Sequence, residues 1–224
     1  MASFTERVEA RVFGDEYHRF LVSDDGDLYT LREMYEMGEG RSVYLVDIRS
    51  GVKVLDIGAH KGIFSVWAAK QGAAVTAYEP DPKSYDCLVR NLRENQVIAE
   101  TKNCGVWSRR DTLPFYADYE NSIACTFIAD RVGDFDAAGV QLGVKVISLD
   151  EALGNKPWDI VKIDAEGSEY EMISSAKRLG QIGHLALEWH REGDELDRMI
   201  EKLSQYFEVP KIDPNWRILS MRRK

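Results

Sequence analysis

VLDIGAHKGIF, residues Val54 to Phe64, decides how the rest of the chain is organised. An apolar strand carrying Asp56 runs into Gly58, three residues separate Gly58 from Gly62, and apolar helical residues follow. Glycines at both ends of a strand-to-helix turn let backbone come close to a ligand, with the N–H groups of the helix start facing it. Glu79 closes the next apolar run, 21 residues after Gly58, where a carboxylate suits the hydroxyls of a ribose.

Two ligand types fit a glycine turn followed by an acidic second strand. A nicotinamide dinucleotide asks for G-x-G-x-x-G, whose second glycine clears space for the pyrophosphate. This chain instead has Gly58-Ala59-His60-Lys61-Gly62, with Asp56 two residues before the first glycine. A carboxylate sits poorly beside a pyrophosphate, but it suits an ammonium group, directly or through water. S-adenosylmethionine carries an amino-acid end, a cationic sulfonium and a ribose, so the charges favour the methyl donor over NAD.

From Val52 onward strands and helices alternate. VKVLDIG, AAVTAYEP, WDIVKIDAEG and HLALEWH read as strands, and GIFSVWAAKQG and SEYEMISSAKRLG as helices. Asp81 caps a helix with Pro82 at its first position, and Tyr85, Leu88, Val89 and Leu92 share one face. DELDRMIEKLSQYF reads as a helix behind the cap Asp194, and FEVPKI and WRILSMRR as an antiparallel strand pair around the turn Asp213-Pro214-Asn215. Between them TKNCGVWS, TLPFYAD, SIACTFIA and VKVISLDEAL read as strands, with a hairpin insertion over about 112–143. Such alternation builds a mostly parallel sheet covered on both faces, with ligands outside the C-terminal strand ends.

Residues 1–50 have a different texture. Short apolar runs broken at Gly14-Asp15 and Asp24 to Asp27 predict strands joined by tight turns, followed by a short helix over Leu31, Met34 and Tyr35. We therefore expect an accessory cap over 1–50 and one α/β domain over 51–224. The chain has 224 residues, 44% hydrophobic and 30% charged, which suits a single globular fold. A net charge of -9 disfavours nucleic acid and anionic membrane as partners. Cys87, Cys104 and Cys125 are far apart and form no CxxC, and the N-terminus lacks the apolar run of a signal peptide or membrane span. The expectation is a cytoplasmic protein with reduced thiols.

Taken in order, VLDIGAHKG, AYEPDP, NCGVWS, SLDE, VKIDAEGSE and LALEWH resemble the FkbM-type family of class I S-adenosylmethionine-dependent methyltransferases over roughly residues 50–190. D-x-G-x-x-x-G is shared by many class I methyltransferases, whereas the combination with KIDAEGSE is much more specific. The resemblance implies a Rossmann-like seven-stranded sheet with an antiparallel last strand, and O-methyl transfer to a hydroxyl of a sugar, a glycosylated metabolite or a polyketide. By motif it places Asp56, Gly58, Ala59, His60 and Gly62 at the methionine and sulfonium end, Glu79 on the ribose, Asn103 and Cys104 near adenine, and Asp164 on the donor where it meets the acceptor. The family motif often has Asn where this chain has His60.

Asp164 and Glu166 follow one strand, and Glu188 and His190 alternate to one face at the end of its neighbour, so all four groups are expected to converge. Methyl transfer from an activated sulfonium needs alignment and exclusion of water, and a hydroxyl acceptor must also lose its proton. His190, with an ordinary pKa of about 6.5, is the natural general base, with Asp164 orienting it or the acceptor. Asp164, Glu188 and His190 equally form a ligand set for Mg2+ or Mn2+, which would acidify a bound hydroxyl. Other readings are a lipid, protein or RNA acceptor, or a module that binds the cofactor without catalysis.

Overall fold

The computed structural model describes residues 6–11, 17–22, 25–35, 44, 46–117, 125–128, 140–213 and 217–224. The turns expected at Gly14-Asp15 and Pro214-Asn215, and much of the insertion, lie outside these residues. Strands β1 (Glu6–Arg11) and β2 (Tyr17–Val22) pair antiparallel, and α1 (Asp25–Tyr35) follows. The acidic stretch read as a turn therefore opens a helix at Asp25, because aspartates suit a helix's positive first turn as well as they suit a β-turn.

The alternating region gives β3 (Lys53–Ile57), α2 (Ile63–Lys70), β4 (Ala74–Tyr78), α3 (Pro82–Glu94) and β5 (Glu100–Lys102). Then come β6 (Gly105–Trp107), β7 (Asp111–Ala117), β8 (Val140–Ser148), α4 (Leu149–Leu153) and β9 (Trp158–Ile163). The chain closes with α5 (Glu169–Ser175), β10 (Ile182–Glu188), α6 (Asp194–Ser204), β11 (Lys211–Asp213) and β12 (Ile218–Arg222). Seven strands form the main sheet in the order β11-β12-β10-β9-β3-β4-β5. Neighbours from β10 to β5 are parallel, and β12 runs antiparallel to β10, as expected of the last strand. In a separate three-stranded sheet, β6-β8-β7, strands β7 and β8 pair antiparallel.

Local signals explain both the agreements and the departures. Asp81 caps α3 by accepting from the Ser84 N–H at 2.7 Å, with Pro82 at the first position. VKVISLDEAL is not one strand: Ser148 and Glu151 form a reciprocal capping box that turns the chain into α4. TKNCGVWS splits into β5 and β6, in different sheets, where the Cys104 N–H bonds back to the Glu79 carbonyl at 3.1 Å. Gly193 is the N-cap of α6 and Asp194 its first residue. From SIACTFIA, the described residues contribute one bridge, Thr126 with Tyr116.

Alternation along the parallel strands divides the interior. Leu55, Ile57, Val161, Ile163, Leu185 and Leu187 pack with Met172, Ile173, Met199 and Leu203 on the face covered by α5 and α6. Val54, Ile160 and Ala186 face α2 and α3, and this core also takes in Phe20, Val22, Leu31, Met34, Tyr44 and Val46. The N-terminal residues therefore share a core with the sheet. Among the described residues no helix is long and apolar enough to cross a membrane. His184 is half-buried against the Ser220 hydroxyl at 2.7 Å, while His18 is fully buried.

Candidate active site

Gly58 and Gly62 both have left-handed backbones, φ +74° and +83°. A Cβ on Gly58 would lie 1.7 Å from the Asp164 carbonyl oxygen, and one on Gly62 2.4 Å from Leu88 Cδ1. The glycines thus let the turn pack on β9 and α3, rather than making room for a ligand. Four of its N–H groups are engaged inside the protein. Gly58 and Ala59 both donate to the Tyr78 carbonyl at 3.0 Å, Gly62 to the Ala59 carbonyl at 2.8 Å, and His60 to Glu79 Oε2 at 2.7 Å. A turn with these amides engaged internally offers a pyrophosphate little. His60 itself is left-handed, φ +50°, a region that Asn and His both enter more readily than most residues.

Beside the turn lies a cavity whose empty space, open solvent at its mouth included, is about 960 Å³. Of the residues expected at the donor, Gly58, Ala59, His60, Glu79, Cys104 and Asp164 line it. Asp56, Gly62 and Asn103 do not; Asn103 instead donates to the Glu79 and Pro80 carbonyls at 2.9 and 3.2 Å. Glu79 is 5% exposed and accepts from the His60 and Asp81 N–H groups, at 2.7 and 2.8 Å. Burial pushes its carboxyl up to about 8, against the pull of those two N–H groups.

Asp56 sits behind the cavity wall rather than on it. It is fully buried, accepts from the Ser65 hydroxyl at 2.6 Å, and lies 3.3 Å from Lys162 Nζ. Lys162 does line the cavity; it donates to the Gly58 carbonyl at 2.7 Å and lies 3.4 Å from Asp164 Oδ2. Burial alone would lower its pKa, but Asp56 and Asp164 hold it above the ordinary lysine value. Sequence reading missed Lys162, although the signal was present. A lysine inside a buried parallel strand needs a partner, and Asp56 and Lys162 are register neighbours on β3 and β9.

Asp164, Glu166, Glu188 and His190 do converge. His190 Nε2 lies 3.4 Å from Glu166, 3.5 Å from Glu188 and 3.9 Å from Asp164. Its Nδ1 is 3.0 Å from Glu169 Oε1, which also accepts from the Ala165 and Gly167 N–H groups at 3.1 Å. Glu169, unrecognised in the sequence, thereby orients the imidazole and directs Nε2 at the other three carboxylates. Asp164 also accepts from the Tyr44 hydroxyl at 2.8 Å. Asp164 and Glu166 line the cavity, and Glu188 and His190 do not.

The setting moves His190 away from an ordinary imidazole: burial would lower its pKa, but Glu169 and Glu166 raise it well above the ordinary value. Burial raises Asp164 as well, yet Lys162 and His190 bring its carboxyl below the ordinary range. Glu188 goes the other way, raised by burial and by Asp164.

A parallel sheet of this order, with its antiparallel strand β12 and a carboxylate-lined cavity at the strand ends, is the class I methyltransferase fold. Structures of T. thermophilus 16S rRNA N2 G1207 methyltransferase, solved with AdoMet and guanosine, and of a putative rRNA methylase from Clostridium thermocellum share it. The first has a TM-score of 0.53 at 18% identity, covering 98% of this chain and 50% of that one. The second has a TM-score of 0.50 at 12% identity, covering 79% and 88%. The family model described as the methyltransferase FkbM domain matches residues 56–208, and the chain belongs to that family. It is also 25% identical over 160 residues to the methyltransferase sdnD of Sordaria araneosa. That match takes in 58% of this chain and spans 62% of that relative's length.

Proposed function

We propose that the protein is an S-adenosylmethionine-dependent O-methyltransferase acting on a hydroxyl of a sugar or glycosylated small molecule. One observation supports the donor above all: the amides of Gly58, Ala59, His60 and Gly62 are engaged internally while carboxylates line the cavity, which suits a cationic nucleoside better than a pyrophosphate. The T. thermophilus methyltransferase, solved in complex with AdoMet on the same fold, supports the same reading. For the acceptor, Asp164 and Glu166 at the cavity wall, backed by Glu188, offer several acceptors to a polyol. As the methyl group transfers, positive charge grows on the attacking oxygen; this anionic cluster stabilises it and takes up the proton. The net charge of -9 favours a small acceptor over RNA, although both structural relatives are described as acting on rRNA.

A second reading of the cluster is favoured by one arrangement. Asp164, Glu166 and His190 each offer a ligand atom, all within 4.8 Å of one another, so Glu166 takes the place given to Glu188 in the sequence-based set. Mg2+ or Mn2+ held there would acidify a bound hydroxyl. A screen of sugar acceptors with S-adenosylmethionine, with EDTA or with added Mg2+ or Mn2+, separates the readings by mass detection of methylated product. Turnover unchanged in EDTA removes the metal, and turnover only with rRNA or tRNA removes the sugar.

Donor affinity carries a pH signature. Ribose hydroxyls donate to a carboxylate, so binding favours ionised Glu79, whose carboxyl stands at about 8 in the free protein. Affinity is expected to rise as pH increases from 7 and to level off above about 8, by up to about tenfold. Calorimetry with S-adenosylhomocysteine measures this. In Glu79→Gln the rise should vanish, leaving only the titration of the ligand's own amine.

A further inference from the structure

We infer that the N-terminal helix α1 is part of the donor site and that Asp27 is a positioning residue, acting on the glycine turn through Lys61. This rests on the reading of the cavity as the S-adenosylmethionine site. Asp27 is fully buried, the Lys61 side chain is 5% exposed, and Nζ lies 2.5 Å from Asp27 Oδ2. A buried pair of this kind holds its geometry because either charge, on losing the other, would keep its desolvation cost without its ion-pair partner. Lys61 stands inside the turn, between left-handed His60 and Gly62, and His60 Nε2 lies 3.9 Å from the other Asp27 oxygen.

A separate set of hydrogen bonds ties the same turn to the N-terminal hairpin. The Lys61 carbonyl accepts from Asn91 Nδ2 at 2.8 Å, and Asn91 Oδ1 accepts from the Leu21 N–H at 2.7 Å. One turn further along α3, Asn95 accepts from the Arg19 N–H at 2.9 Å and donates to its carbonyl at 2.6 Å. Two asparagine amides thus engage backbone groups of β2 as a neighbouring strand would. With α1 anchored, Thr30 and Met34 line the cavity alongside His60 and Glu79. Residues outside the matched 56–208 segment therefore form part of the donor wall and constrain the conformation of its central turn.

The test uses the full chain and S-adenosylhomocysteine. Asp27→Asn and Lys61→Met each leave a buried partner and should lose melting temperature as well as affinity. The double variant D27N/K61M removes both charges, so its melting temperature should recover while its affinity stays roughly tenfold weaker than wild type. Wild-type affinity in the double variant would overturn the inference and leave the pair purely structural. Hydrogen exchange on the unmodified protein gives an independent reading: the ligand should slow exchange in residues 25–35 together with 58–62. Protection confined to the turn would overturn the inference, whereas a wild-type protein that binds no S-adenosylhomocysteine defeats the donor reading beneath it.

Discussion

Replacing Lys162 with methionine is expected to lower the melting temperature by about 6–20 °C. Breaking a buried ion pair costs about 3–5 kcal/mol, and each kcal/mol moves a domain of this size by about 2–4 °C. The magnitude follows from what the substitution leaves behind. Asp56 is fully buried, and its remaining partner would be the Ser65 hydroxyl, at 2.6 Å. Asp164 would keep Tyr44 but lose the ammonium 3.4 Å away, and the Gly58 carbonyl would lose its donor at 2.7 Å. Methionine fills much of the same volume, so packing is not the main loss. Scanning calorimetry on K162M and on the double variant D56N/K162M reads the effect directly. The second neutralises the stranded carboxylate and should regain a good part of the loss. A shift below about 3 °C in K162M would mean that water reaches Asp56.

The second large effect is on turnover. Asp164→Asn is expected to reduce kcat by about 10²- to 10³-fold, the range lost when one preorganised charge-stabilising group is removed, with affinity for S-adenosylhomocysteine held within about threefold. The amide is nearly isosteric and its oxygen can still accept from Tyr44, so the wall of the cavity keeps its shape. What goes is negative charge, on a carboxylate that Lys162 and His190 hold below its ordinary pKa and that is therefore ionised when the acceptor arrives. Both readings of the cluster need that charge, as electrostatic support for the attacking oxygen or as a ligand to Mg2+ or Mn2+. Steady-state kinetics with the acceptor from the sugar screen measure it. An equal loss of donor affinity would instead place Asp164 mainly at the methionine end.

Much of the architecture was legible because its signals are local. Gly58 and Gly62, the Asp81-Pro82 helix start and the apolar runs of β3, β4, β9 and β10 each report a backbone preference or a burial period within a few residues. The convergence of Asp164, Glu166, Glu188 and His190 was legible too, since adjacent parallel strands end together. Errors came where two local signals compete: acidic residues that open α1 were read as a turn, and the capping box at Ser148 was read as strand.

Taken alone, the sequence determined the strand and helix alternation, the place of the glycine turn and the strand ends where chemistry gathers, because periodicity and turn chemistry act over a few residues. Charge state and contact were decided by tertiary structure. Four carboxylates around His190 raise its pKa well above that of an isolated histidine, and Asp56 turns to Lys162 across the sheet instead of to the cavity. Asp27 reaches Lys61 from 34 residues away. Such outcomes depend on burial and on distances between elements remote in the chain, and burial sets both the energy of an ion pair and the pKa of a group.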